Sequence, residues 1–167
     1  MAVLSMDFET SVANPVDLAE QVAAQRDWAF DRPIEEELIA EIAGGWCHYR
    51  LWFTWQEDLG GLMFSCSYDM KIARHAWPQI QELLALINER MWLGHFDLCS
   101  EDGGLSFRHG ILLKGGNGIT HEQLEELVDI AVSECERFYP AFQSVVWAGQ
   151  KPVEALKFSM FDTCGEA

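Results

Sequence analysis

Residues 46–70 read WCHYRLWFTWQEDLGGLMFSCSYDM and contain the clearest periodic pattern in the chain. Every second side chain is apolar on both sides of a central polar stretch: Cys47, Tyr49, Leu51, Phe53 and Trp55 before it, and Leu62, Phe64, Cys66, Tyr68 and Met70 after it. This alternation is typical of β-strands with one buried face. The intervening residues 57–61 end in two glycines, which predicts a hairpin loop. The stretch therefore predicts two antiparallel strands that share a buried face.

Further elements can be read outward from this hairpin. In chain order, we predict a helix over 15–25, an extended segment over 28–33, a strand over 38–43, a helix over 77–91 that Gly94 ends, strands over 95–100 and 105–113, a long third helix, and a short last helix over 152–162. Asn14-Pro15 is a helix-start signal, because asparagine caps a helix and proline suits its first turn. Thr120 and Gln123 form a capping box that predicts the start of the third helix, and Pro140 is expected to kink or split that helix.

The order α-β-β-β-β-α-β-β-α-α predicts the fold class. Hairpin-connected strands favour an α+β fold with a single twisted antiparallel sheet of about five to six strands, flanked by helices on one face. With 167 residues, of which 49% are hydrophobic, the chain can bury one core but is too short for two. We therefore expect a flexible arm over residues 1–13 and a single α+β domain over residues 14–167.

The charge of the chain argues against two classes of partner. There are 27 acidic and 11 basic residues, which give a formal net charge of −16. Binding to nucleic-acid phosphates or to anionic membranes needs clustered lysine and arginine, so we expect neither nucleic acid nor a membrane as a partner. The first residues lack a signal-peptide pattern, and the longest uncharged run, 138–150, is too short to span a bilayer. These features predict a cytoplasmic protein.

The sequence contains no recognisable motif for catalysis or for cofactor or metal binding. Its five cysteines are widely spaced and include no C-x-x-C pair, so we predict buried free thiols and no zinc site. The glycine-rich stretch 115–118 lacks the lysine of a phosphate-binding loop, and no G-x-S-x-G motif occurs. We expect no catalytic residue, no cofactor and no metal. The alternative is a pocket near His95 and His109, with Arg108 or Asp97, that binds a small molecule or serves an undetected hydrolase.

Trp52 is the exception among the seven tryptophans, most of which are expected in the core. Its side of the strand also carries polar residues, so the ring is expected on the face of the sheet that the helices leave open. Tryptophan and arginine contribute strongly to binding at protein interfaces. Arg50, Trp52 and Met63 are therefore our candidate protein-interaction patch. Two alternatives stay open: another element of the chain covers the patch, or a second copy covers it in a homodimer.

Five stretches, spread over nearly the whole chain, resemble a known family. They are NPVDL at 14–18, GWCHYRL at 45–51, DLGGLMFSC at 58–66, NERMWLGHFD at 88–97 and ECERFYPAF at 134–142. With them the chain resembles the YbjN-domain family of bacterial sensory transduction regulators, and the block at 88–97 is the most specific part. The resemblance implies an α+β fold like that of type III secretion chaperones, often dimeric. It brings no established catalytic residues to this sequence.

These observations together lead to a functional prediction. We expect a non-enzymatic cytoplasmic regulator or chaperone-like adaptor that acts by binding another protein. The expected partner is a protein whose identity the sequence does not reveal, and the expected oligomeric state is a homodimer. The runner-up is the small-molecule-binding domain or hydrolase with its pocket near His95 and His109.

Overall fold

The structure is a computed structural model that describes residues 13–161 of the chain. Its helices and strands are, in chain order, α1 (Pro15–Gln25), β1 (Ala29–Ile34), β2 (Glu37–Ala43), β3 (His48–Gln56), β4 (Gly61–Lys71), α2 (Trp77–Asn88), β5 (His95–Leu98), β6 (Gly104–Leu112), α3 (His121–Ala148) and α4 (Pro152–Phe161). This order confirms the predicted succession of elements. The flexible arm expected over residues 1–13 lies outside the described residues, apart from Ala13. No helix within residues 13–161 combines the length and the apolar character needed to span a bilayer.

The six strands form one antiparallel sheet in the order β1-β2-β3-β4-β6-β5. The first four strands follow one another as hairpins, and β6 returns beside β4, so β1 and β5 are the two edges. The β3–β4 pairing is regular from Tyr49–Tyr68 to Gln56–Gly61. In β1 the register shifts between Asp31 and Ile34, around Pro33, which has no N–H to donate. The predicted α+β fold with a single antiparallel sheet is confirmed.

The core lies between the sheet and the helices. Alternate side chains of β3 and β4 are buried on this side: Tyr49, Leu51, Phe53, Leu62, Phe64 and Cys66 are at most 1% exposed. From the edge strand, Phe96 packs edge-on against Phe138 and Phe142 of α3, with ring centroids 5.8 and 5.6 Å apart. The Tyr68 hydroxyl donates a 2.9 Å hydrogen bond to the carbonyl oxygen of Cys135. These contacts fix α3 across the middle of the sheet.

The cysteines differ in their surroundings. Cys66 and Cys135 are buried, with their Sγ atoms 3.7 Å apart, and burial raises the pKa of the Cys135 thiol. The prediction of buried free thiols is confirmed for these two residues. It is wrong for Cys99, which is exposed because it lies just beyond the end of β5. Cys47 is half-buried, and Cys164 lies outside the described residues.

The helix caps predicted at Asn14 and Thr120 are present in the structure. The Asn14 Oδ1 atom accepts a 2.9 Å hydrogen bond from the Val16 N–H, and its Nδ2 group donates to the Glu35 carbonyl at 2.9 Å. At the start of α3, the Gln123 N–H donates to the Thr120 hydroxyl at 3.1 Å, and the Thr120 N–H donates to the Gln123 side chain at 2.9 Å. The bonds from the Val16, Thr120 and Gln123 N–H groups satisfy backbone donors that have no partner within the helix.

One predicted helix end is wrong, and one of the two effects expected of Pro140 does not occur. The second helix ends at Asn88 and does not continue to Met91, because the Asn88 side chain turns to the backbone of Phe96. Pro140 does not split the third helix, since α3 runs through it as 28 continuous residues. Proline removes one helical N–H donor, but the residues on both sides of it are buried in the core and hold the two halves of the helix together.

Candidate protein-interaction surface

The face of the sheet opposite the helices is accessible to solvent in the part of the chain that the structure describes. We call it the open face. Because alternate side chains of a strand point to opposite sides, the strand register identifies its members. The central side chains of the open face share one property, which is that none of them is fully buried. They belong to Ile39, Glu41, Arg50, Trp52, Thr54, Met63, Ser65, Ser67, Ser106 and Arg108. A sheet with one covered and one solvated face is common in antiparallel proteins.

Trp52 lies at the centre of the open face. Its cross-strand neighbours are Ile39 on β2 and Ser65 on β4, and its side chain is 41% exposed. Arg50 lies two positions earlier on β3, and Met63 is opposite Thr54, one diagonal step from the tryptophan. The structure thus places Arg50, Trp52 and Met63 on one face. No element within residues 13–161 covers the ring, so the alternative of an internal cover is wrong for that range. The prediction that most of the other tryptophans lie in the core is also wrong, since Trp46, Trp92 and Trp147 are exposed.

Ion pairs organise the charged side chains of this surface. Three of them lie on or beside the open face: Arg50–Glu41 at 2.9 Å, Arg108–Asp97 at 2.9 Å and Lys71–Asp102 at 2.8 Å. All six side chains are substantially exposed, and such pairs contribute only ~0–1 kcal/mol each to stability. Each of these three cations therefore already has an acidic partner. Lys71, together with the Gly104 N–H, holds the pKa of the Asp102 carboxyl well below its usual range.

Two shallow hollows lie on the open face, and Trp52 separates them. The larger hollow, about 670 Å³ in volume, is bordered by His48, Arg50, Ser67, Asp69 and Lys71. The smaller hollow, about 200 Å³, is bordered by Glu37, Thr54, Met63, Ser65 and Arg108. The tryptophan ring lines both hollows and forms the ridge between them.

The structure does not place His95 and His109 in one pocket. His95 and Arg108 are direct cross-strand partners on the open face. His109 pairs with Phe64, so it lies on the other side of β6 and faces the helices. Partial burial lowers the pKa of His109, and the nearby His95 lowers it further. Because these side chains point to opposite faces, the predicted pocket near His95 and His109 is wrong.

The chemistry of the open face suits non-covalent binding. It offers one aromatic ring, one thioether and several hydroxyl groups, flanked by exposed ion pairs. Among the residues from 13 to 161, no group of three histidine, cysteine or acidic side chains is placed to hold a metal ion.

Glu37 also belongs to this surface, although it is not part of the predicted patch. It is the first residue of β2, it is half-buried, and it lines the smaller hollow next to Trp52. A signal for it existed in the alternation of β2, since Glu37, Ile39 and Glu41 share a face just as Leu38, Ala40 and Ile42 do. Only the pairing of Glu37 with Thr54 places it beside the predicted patch.

Comparisons with known proteins connect this fold to a family. No curated protein matches the chain. One solved structure that it resembles is described as "Crystal structure of YbjN, a putative transcription regulator from E. coli". The two chains are 14% identical, the similarity covers 72% of this chain and 90% of that chain, and the TM-score is 0.47. Residues 15–144, from the first residue of α1 well into α3, match the YbjN family, "Putative bacterial sensory transduction regulator", and the chain therefore belongs to the YbjN family.

Proposed function

We propose that the protein is a non-enzymatic cytoplasmic regulator or chaperone-like adaptor that binds another protein through its open face. The observation that carries this proposal is the position of Trp52, 41% exposed at the centre of a sheet face that no described helix covers. Exposed apolar patches with a polar rim mark interaction sites, and tryptophan is among the residues that contribute most to interface affinity. The description of the family as regulators supports the same conclusion.

The surroundings of Trp52 favour binding by a protein surface. The residues around the ring include three with small side chains, Ser65, Ser67 and Ser106, so a partner can approach the sheet closely. Met63 supplies an adaptable apolar contact next to it. These features fit a broad, shallow contact better than a deep pocket.

The charged groups of the open face also favour binding over catalysis. Catalytic carboxylates and histidines generally sit in clefts that shift their pKa values. Here Glu41 and Asp97 are exposed and paired with Arg50 and Arg108. Ion-paired groups in open solvent are well suited to steering a charged partner.

The test compares two tryptophan variants. Wild-type protein, Trp52→Ala and Trp147→Ala are used as baits for crosslinked capture from the native cell. Trp147 is a matched control, because its ring is 62% exposed but lies near the end of α3, on the helical side of the molecule. We expect one set of proteins to be captured by the wild type and by Trp147→Ala and to be lost with Trp52→Ala. Removal of a central aromatic anchor typically costs about 2 kcal/mol or more, a loss of roughly thirtyfold in affinity.

Circular dichroism and thermal unfolding establish that each variant is folded. If folded Trp52→Ala captures the same proteins in the same yields as the wild type, the open face is not the binding surface and the proposal fails.

A further inference from the structure

Glu37 has an unusual position for a carboxylate on this surface. It is half-buried, it lines the smaller hollow, and none of the ion pairs or side-chain hydrogen bonds described for residues 13–161 includes it. The arginine in the same hollow, Arg108, is already paired with Asp97 at 2.9 Å. A carboxylate that is partly withdrawn from water is stabilised by a nearby cation. The hollow thus has a charge for which the described chain supplies no partner.

Like the Glu37 carboxylate, the ring of Trp52 has no cationic side chain next to it among the described residues. Elsewhere in the molecule, the guanidinium of Arg26 lies 5.4 Å from the centre of the Trp28 ring, and that of Arg74 lies 4.9 Å from the centre of the Trp77 ring. No described cation lies over Trp52, although tryptophan is the aromatic ring that attracts cations most strongly. The smaller hollow is therefore lined both by this ring and by the Glu37 carboxylate, and neither has a cationic partner among the described residues.

The larger hollow repeats this arrangement on the other side of Trp52. Its cations Arg50 and Lys71 are paired with Glu41 and Asp102, but Asp69 is exposed and has no ion pair in the described part of the chain. Met63, which lies in the same cross-strand row as Glu37, precedes Asp69 by six positions on β4. At about 3.4 Å per strand residue, the two unpaired carboxylates are roughly 20 Å apart along the strand direction.

We propose that the protein partner presents a basic, extended segment, and that the smaller hollow binds a lysine or arginine side chain from it between Glu37 and Trp52. This inference rests on the proposed function, since it specifies the partner of the same face. A second cation of the segment, about six residues away and on the same side of it, reaches Asp69. The volume of about 200 Å³ fits a single side chain, being smaller than the ~300–1,000 Å³ of typical small-molecule sites. The net charge of −16 disfavours a second copy on this face and attracts a basic segment.

The test uses a synthetic peptide, SRSLSLSRSG, with its two arginines six residues apart and leucines on the same side between them. Its binding to ¹⁵N-labelled protein is followed by NMR, including the Trp52 indole N–H signal. We expect shifts confined to β2, β3, β4 and β6, and a Kd that rises at least threefold when both arginines are replaced by neutral citrulline. Glu37→Gln is expected to raise the Kd at least threefold, and Asp69→Asn is expected to act in the same direction.

The matched control is Glu126→Gln, which removes the same charge from an exposed position on α3. We expect this variant to bind the peptide as the wild type does. The inference is overturned if citrulline peptide binds as tightly as arginine peptide, if Glu126→Gln weakens binding as much as Glu37→Gln, or if the shifts lie outside the open face. If the arginine peptide does not bind, but Trp52→Ala still captures fewer proteins than the wild type, this inference is wrong and the proposed function stands. If Trp52→Ala loses none, the proposed function fails as well.

Discussion

The imidazole of His109 lies half-buried on the helix-facing side of β6, opposite Phe64. Burial lowers the pKa of this ring below the ordinary value of 6.5, and the charge of His95 acts in the same direction. In the unfolded chain the ring takes up a proton at its ordinary pKa, whereas in the folded protein it does so only at lower pH. The unfolded state thus binds more protons between the two values, so protonation of His109 favours unfolding.

A difference measurement tests this effect. The stabilisation from neutral His109 is fully present above the ordinary histidine pKa and is lost as the pH falls below it. We therefore expect the free energy of unfolding of the wild type, relative to that of His109→Gln, to decrease from about pH 7.5 to about pH 5.5. Urea unfolding of both proteins at each pH provides the measurement. Acidification also reduces the repulsion from the net charge of −16, but this acts on both proteins alike and cancels in the difference. A difference that stays constant with pH would contradict the assignment.

At the scale of elements, Asn88 joins the end of α2 to the edge strand β5. Its Oδ1 atom accepts a hydrogen bond from the Phe96 N–H at 2.8 Å, and its Nδ2 group donates to the Phe96 carbonyl at 3.0 Å. The side-chain amide therefore pairs with the strand backbone as a neighbouring strand would. Both residues belong to the block 88–97, which is the most specific part of the resemblance to the family.

We expect Asn88→Ala to destabilise the protein by ~1–3 kcal/mol, because it leaves the N–H and carbonyl groups of Phe96 without partners in a partly buried position. Urea unfolding measures the loss, and hydrogen exchange should show faster exchange of the Phe96 amide than of amides in β3. The control is Glu89→Ala, since the Glu89 side chain is 76% exposed and should change stability by no more than ~0.5 kcal/mol. Equal losses in the two variants would show that the paired amide contributes nothing.

The elements could be predicted from local signals, and the errors arise where distant contacts decide. Strict alternation over 46–70 identified β3 and β4, and the caps at Asn14 and Thr120 placed the starts of α1 and α3. The end of α2 depends on the bond between Asn88 and Phe96, which no local rule describes. The continuity of α3 through Pro140 depends on burial against the sheet.

The candidate surface could be predicted only in part, because alternation shows which residues share a face of one strand but does not show how the strands pair. Alternation alone placed Arg50 and Trp52 on one face, and the hairpin placed Met63 near them. The place of Glu37 beside Thr54 depends on the register of β2 against β3. The place of Arg108 beside Ser65 depends on the strand order, in which β6 lies between β4 and β5. One sequence shows neither that register nor that order, so these contacts could not be predicted from it.

At the scale of the whole molecule, the homodimer implied by the family resemblance stays a prediction. Large apolar side chains on the helical side are exposed, among them Phe158 at 61% and Val153 at 48%, and they can supply buried area to a dimer. We expect light scattering at tens of micromolar to give about twice the chain mass of 19.0 kDa. The measurement needs about 0.15 M salt, which screens the repulsion between two acidic chains beyond ~8 Å.

Trp52→Ala should leave this mass unchanged, because the open face is assigned to another protein. A monomeric wild type would contradict the predicted dimer. A dimer that Trp52→Ala dissociates would mean that a second copy occupies the open face.

The two edges of the sheet have a consequence for how this protein behaves at high concentration. β1 contains Pro33 and an interrupted register, and β5 has only four residues, one of them already paired by Asn88. An edge with a missing donor, or one too short to act as a template, resists the strand-by-strand growth that leads to amyloid. Crowded copies should therefore stay free of cross-β fibrils, even though 12% of the residues are aromatic, a class that favours such fibrils.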